Sequence, residues 1–194
     1  MKAIFPNYLS KDITELQSDD PEVFGRFVKN HQTLVFSFLG RMGFSQTEAE
    51  DLAQDTFLRV WQHRHSYQPD QAKVSTWLCT ITRNIALNHI EKKGRRPAEL
   101  SEEPASITAT DTASNPEYQT VLQQDIERLN HTLHALNADE RSAIALHYAD
   151  ELSTRDAAQV MGCSAGAFRT RLTRARKKLQ NIWNSKTDSG NSSS

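Results

Sequence analysis

Glycine is scarce in this chain, seven in 194 residues, and no run alternates apolar and polar side chains as a half-buried strand does. An almost all-helical protein is expected. Cysteine is nearly absent too. Cys79 and Cys163 stand far apart and outside any metal-ligand spacing, which points to free thiols in a reducing compartment. No apolar run reaches the roughly 20 residues that span a bilayer, and the first residues carry no apolar leader core. No membrane insertion and a cytoplasmic location are expected. A Gly-rich phosphate loop is missing, as is any nucleophile–base pattern. His63 and His65 are two residues apart, on opposite sides of a helix, which argues against a metal site. The chain is expected to be no enzyme and to need no cofactor.

What is present is charge, segregated along the chain. The formal net charge is only -1, and 37% of residues are hydrophobic, which permits one domain or two small helical ones. From Ala98 to Glu117 there are five acidic residues and no basic one, with Pro97, Pro104 and Pro116 interrupting any helix. Such a segment buries too little apolar surface to order itself and reads as a flexible acidic linker. The expected division is an N-terminal domain at 1–97, a linker at 98–117, a C-terminal domain at 118–184 and a disordered tail at 185–194.

The richest segment runs from Leu152 to Leu179. Ser153 caps a helix opening at Thr154, with Asp156 in the capping-box position. Gly162 offers the left-handed residue that ends it, and Ser164 caps a second helix. On that helix Phe168, Leu172, Ala175 and Leu179 fall at helical spacing, leaving Arg169, Thr170, Arg171, Thr173, Arg174, Arg176, Lys177 and Lys178 outward. Helix, tight turn and basic helix make a probe for the DNA major groove. Its early residues are placed to read base edges, and Arg176 to Lys178 to meet phosphates. The plainer reading is a solvated basic helix face.

Upstream, Asp20-Pro21 starts a helix whose apolar positions run from Val23 to Met42, and Gly43 ends it. Ser45 and Glu48 form a second capping box. The helix they open turns Ala49, Leu52, Ala53, Phe57, Val60 and Trp61 inward and Asp51, Gln54, Asp55, Leu58 and Arg59 outward. An apolar residue ringed by charge, as Leu58 is, suits a protein contact. A third helix, from about Val74 to Lys93 and closed by Gly94, is expected to bury Val74, Trp77, Leu78, Ile81 and Ile85. It would expose Thr80, Arg83, Asn84, Leu87 and Asn88. A further helix from Pro116 to Leu136, with an apolar stripe through Leu129, Leu133 and Leu136, would pack on one opened by Asn137 and Glu140.

Asp51-Leu-Ala-Gln-Asp-Thr-Phe-Leu-Arg-Val-Trp61 followed by Ser75-Thr-Trp-Leu-Cys-Thr-Ile-Thr-Arg-Asn84 resembles the first domain of bacterial extracytoplasmic-function sigma factors. The helix-turn-helix resembles their second, through Arg169-Thr-Arg-Leu-Thr-Arg-Ala-Arg176. The resemblance implies a subunit that binds core RNA polymerase and promoter DNA to direct initiation, for a stress or envelope-signal regulon. It implies that Asp51, Gln54, Asp55, Leu58 and Arg59 bind the polymerase. It places a flipped minus-ten base in the loop Tyr67, Gln68, Pro69, Asp70, Gln71 and Ala72, with Tyr67 as stacking face and Trp77 as wall. Arg83, Asn84 and Asn88 would line the single strand. Arg169, Thr170, Arg171, Thr173, Arg174 and Arg176 would face the minus-thirty-five element. Thr173 and His147 depart from the family's usual residues, which touches base preference. An anti-sigma factor is implied as partner, and the Pro69–Ala72 loop resembles a subgroup whose partner contains zinc. Two other classes stay open on the residues alone: a stand-alone helix-turn-helix regulator, and a helical adaptor with a basic tail.

Overall fold

The computed structural model describes residues 7–95, 132–149 and 152–190, and every regular element among them is a helix. They are α1 (Asn7–Leu16), α2 (Pro21–Arg41), α3 (Gln46–His63), a 3-10 turn (Arg64–Ser66), α4 (Val74–Arg95), α5 (Ala138–His147), α6 (Thr154–Val160) and α7 (Ala165–Gly190). The acidic segment 98–117 and most of the helix expected at Pro116–Leu136 lie outside the described residues.

Local chemistry sets most helix ends. Asp20 accepts the Glu22 N–H at 2.8 Å with Pro21 in the first turn of α2. Ser45 with Glu48, Asn137 with Glu140, and Ser153 with Asp156 each form a complete capping box, opening α3, α5 and α6. Gly43 (φ 85°) and Gly162 (φ 62°) take the left-handed turns after α2 and α6. Two ends differ from expectation. Gly94 does not stop α4, which reaches Arg95. α7 continues to Gly190, past the boundary expected at Ser185, because no proline or glycine interrupts it between Gly166 and Gly190.

In the N-terminal unit, α2 lays Phe24, Phe27, Leu34, Val35, Phe38 and Leu39 against α3 and α4. Each such side chain contributes about 1.5–3 kcal/mol when fully buried. α4 is buried on more sides than its apolar pattern suggests. It touches α2, α3, α5 and α6. Thr76, Leu78, Cys79, Thr82 and Ala86 are its most buried residues, while Trp77, Ile81 and Ile85 are half-buried. Thr82 tolerates this because its hydroxyl donates to the Leu78 carbonyl at 2.9 Å. Neither cysteine is in a disulfide among the described residues; Cys79 is buried and Cys163 half-buried.

The C-terminal unit closes over Ile144, Leu146, Ala157, Ala158, Phe168, Leu172 and Ala175, joined by Leu133 and Leu136. It sits directly on the N-terminal unit. The buried Arg141 donates from Nη1 to the Met42 carbonyl at 3.2 Å, at the end of α2. Burial pushes its pKa down, and the negative end of the α2 dipole supports its charge, no carboxylate pairing with it among the described residues. Ser142 Oγ meets the Met42 sulfur at 3.4 Å.

Glu48 supplies a test of how capping holds the fold. Burial opposes its ionisation, but the Lys93 ammonium at 2.9 Å and the Ser45 N–H and hydroxyl outweigh it, so the carboxyl titrates at about 2 rather than 4.5. Its folded pKa is depressed, so its contribution is complete above about pH 4.5 and fades as pH falls toward about 2. Glu48→Gln is expected to lose about 1 kcal/mol at pH 7. In urea unfolding across pH 2–7, the gap to wild type should close on acidification; a gap independent of pH contradicts this account.

Candidate nucleic-acid interface

α7 presents its basic edge because its opposite edge is spent on the core. Ser164 Oγ accepts the Ala167 N–H at 3.1 Å and fixes the helix start. With Phe168, Leu172 and Ala175 buried at helical spacing, Arg169, Thr170, Thr173, Arg174 and Arg176 are exposed, and Arg171 is half-buried. The Thr170 and Thr173 hydroxyls donate to the Gly166 and Arg169 carbonyls, leaving their oxygens free as acceptors. The cations differ in how they are held. Arg171 Nη1 lies 3.8 Å from Asp139, Lys178 bonds Glu140 at 3.1 Å, and Arg176 leans over the Tyr148 ring at 5.7 Å. Arg169, Arg174 and Lys177 have no ion pair among the described residues. Those three are the least encumbered cations on this edge.

His147 stands beside this edge, its ring 5.0 Å from that of Tyr148. Burial, then the nearby Arg176 charge, lowers its pKa, so it adds a neutral hydrogen-bonding group rather than a further cation.

The second surface lies between α3 and α4. Asp51, Gln54, Asp55, Leu58 and Arg59 are all exposed, with Leu58 56% accessible. The sequence suggested two separate surfaces here, an acidic strip and an amide-rich face. The structure joins them in one groove of about 520 Å³, where Asp55, Leu58 and Arg59 face Asn84 and Asn88 over a floor of Trp77 and Ile81. Sequence reasoning missed Gln62 and Lys92 on its rim. The signal was available, since Leu58 and Gln62, and likewise Asn84, Asn88 and Lys92, recur at four-residue steps.

The residues assigned to a minus-ten pocket do not form one cluster. Tyr67 is buried: its hydroxyl donates to the Ala72 carbonyl at 2.9 Å, its ring lies 5.4 Å from Trp77, and its carbonyl accepts from Gln17. Burial, with the Asp12 charge, pushes its pKa up. Tyr67 therefore clamps the loop rather than offering a stacking face. Gln68, Asp70 and Gln71 are exposed and Ala72 is half-buried. Arg83 leaves the groove that holds Asn84 and Asn88, because one residue turns a helix by about 100°. Its guanidinium bonds Asp139 of α5 at 2.5 Å.

Comparison with known proteins places both units. The family described as Sigma-70 region 2 matches residues 27–96, and that described as Sigma-70, region 4 matches residues 126–179. The chain is 32% identical to the RNA polymerase sigma-H factor of Pseudomonas aeruginosa, across 86% of this chain and 89% of that one. It is 31% identical to the ECF RNA polymerase sigma-E factor of Haemophilus influenzae, across 87% and 92%. Among solved structures it resembles the RpoE sigma factor of Bartonella quintana in complex with the anti-sigma factor NepR (TM-score 0.62, 27% identity, 83% of this chain and 96% of that one). It also shares its fold with CnrH in complex with the cytosolic domain of CnrY (TM-score 0.65, 22% identity, 90% and 96%).

The clamping role of Tyr67 predicts the behaviour of Tyr67→Phe. Losing the hydroxyl leaves the Ala72 carbonyl without that donor and should cost about 1 kcal/mol in chemical denaturation. An unchanged midpoint would place the hydroxyl outside the folding balance.

Proposed function

The chain belongs to the extracytoplasmic-function sigma factors, and we propose from that membership how it divides promoter recognition among its surfaces. As a sigma factor it works with core RNA polymerase to direct initiation at promoters. The observation that carries this is the presence of region 2 and region 4, in order, on one chain that aligns over most of its length with curated sigma factors.

The exposed strip Asp51, Gln54, Asp55, Leu58 and Arg59 is the polymerase-binding face, with Leu58 as its apolar anchor. Asn84 and Asn88, across the same groove, line the opened strand where amides meet base edges. The loop Gln68 to Ala72, held in shape by Tyr67, receives the flipped minus-ten base. Arg169, Thr170, Thr173 and Arg174 face the minus-thirty-five element in the major groove, and Arg176 meets the backbone. The chain contributes no catalysis of its own; the polymerase performs the chemistry. No helix among the described residues is long and apolar enough to cross a membrane, and work on a polymerase places the protein in the cytoplasm. An anti-sigma factor is the natural control, by analogy with the Bartonella quintana complex, and the α3–α4 groove is the surface we propose that it covers. The Pro69–Ala72 loop favours a zinc-containing class, and a stress or envelope signal would release the factor.

Transcription with purified core polymerase on fragments selected by the reconstituted holoenzyme tests the reading. Stimulation is expected, and its absence removes the proposal. A gel shift adds the rival: tight sequence-specific binding without polymerase would indicate a stand-alone regulator. Within the holoenzyme, Arg169→Ala or Arg174→Ala should weaken promoter binding by about 1–3 kcal/mol. Leu58→Asp should instead weaken co-sedimentation with core, at least tenfold by the usual scale of an interface anchor.

A further inference from the structure

The loop proposed to receive the minus-ten base, Gln68 to Ala72, is braced at its entry by a segment far away in sequence. Gln17, Ser18 and Asp19, which join α1 to α2, reach the 3-10 turn and Tyr67, just where that loop begins. Arg64 is the centre of the brace. Its Nε donates to the Ser18 carbonyl at 3.1 Å, its Nη1 to the Trp61 carbonyl and its Nη2 to the Asp19 carboxylate. The guanidinium also lies over the Trp61 ring, 3.7 Å from its centroid. Asp19 Oδ1 bonds His65 Nε2 at 3.0 Å as well, and Gln17 Nε2 donates to the Tyr67 carbonyl at 3.3 Å. These bonds to Arg64 and then His65 hold the Asp19 carboxyl below its ordinary pKa, so it stays charged. The joining segment is itself fixed, since Ser18 Oγ accepts the Asp20 N–H at 3.1 Å and Asp20 caps α2.

A short 3-10 turn has few hydrogen bonds of its own, so side chains from outside set its direction. Arg64 does this with a planar fork whose three nitrogens meet three acceptors, two on the joining segment and one at the end of α3. A lysine, with one point charge, cannot hold that geometry. The support is sealed where the loop is open: the Arg64 side chain is 13% accessible, while Gln68, Asp70 and Gln71 are exposed. Tyr67 then fixes the far end of the loop through the Ala72 carbonyl. Resting on the minus-ten reading of this loop, we infer that Arg64 and Asp19 are positioning residues for base capture. They hold the loop in its receiving shape before DNA arrives, which lowers the ordering cost of binding. The joining segment between α1 and α2 thereby takes part in reading the promoter from behind. Its effect belongs to the captured base and not to the rest of the strand.

The test uses holoenzyme reconstituted from core polymerase and the full chain. Affinity is measured for the non-template minus-ten strand of a fragment the holoenzyme selects, and for the same strand with each base in turn replaced by an abasic site. In the wild type one position should stand out by at least about fivefold, the low end of what one base stacked on protein contributes. Arg64→Lys keeps the charge and loses the fork; Asp19→Ala removes the acceptor. In both, the ratio at that position is expected to fall toward one, through weaker binding of the intact strand, with the abasic strand bound as before. Glu22→Ala removes a nearby exposed charge of the same sign and should keep the full ratio. Circular dichroism and co-sedimentation with core check that each variant folds. Asp19 is 80% accessible, so Asp19→Ala decides alone if Arg64→Lys does not fold. A full wild-type ratio in the folded variants overturns the inference. So does equal weakening on intact and abasic strands, the mark of a merely structural role. If no position stands out in the wild type, the minus-ten reading of the loop falls, and the inference with it.

Discussion

Among the described residues, the carboxylates that start three helices also hold those helices to others. Glu48, Glu140 and Asp156 each close a capping box, and each bonds a lysine from elsewhere: Lys93, Lys178 and Lys73. All three are held below their ordinary pKa. A capping acid lies at the positive end of a helix dipole, so it is charged where it stands and costs little to pair again. Because a helix turns about 100° per residue, fixing its first residue also fixes what every later side chain faces. The buried seam of α3, and the exposure of Asp51, Gln54, Asp55, Leu58 and Arg59, follow from where Ser45 and Glu48 begin it.

This dependence explains what was legible in the sequence. Caps and left-handed glycines act within four residues, so Ser45, Asn137, Ser153, Gly43 and Gly162 could be read directly. The α7 faces were equally legible, because one core seam at helical spacing leaves the rest outward. α4 was not. It packs on helices from both units, and an amphipathic pattern assumes one buried side. Arg83 looked like a companion of Asn84 and Asn88 for the same reason, and only the second unit shows why it points elsewhere. Tyr67 looked free because its partners, the Ala72 carbonyl and Trp77, depend on the path of a loop. Arg141 carried no signal, since a buried arginine with no carboxylate among the described residues contradicts the usual pattern.

Electrostatics divides the surfaces by availability more than by net charge. A total near zero conceals a basic edge on α7 where Arg169, Arg174 and Lys177 stand without an ion pair among the described residues, while Arg171, Arg176 and Lys178 are held by Asp139, Tyr148 and Glu140. Held cations are oriented before any ligand arrives, which lowers the ordering cost of binding. Unheld cations adapt to the backbone they meet. The pairing of both kinds on one helix edge suits the duplex contact proposed for it, which would need both registration and reading.

The buried contact of Arg141 with the Met42 carbonyl gives the junction between the units an uneven response to ionic strength. Mobile ions screen the accessible pairs of Lys73 and Asp139 over about 8 Å at physiological salt, but they reach a donor sealed against a helix end far less. Raising salt is therefore expected to weaken the Lys73–Asp156 side of the junction more than the Arg141–Met42 side.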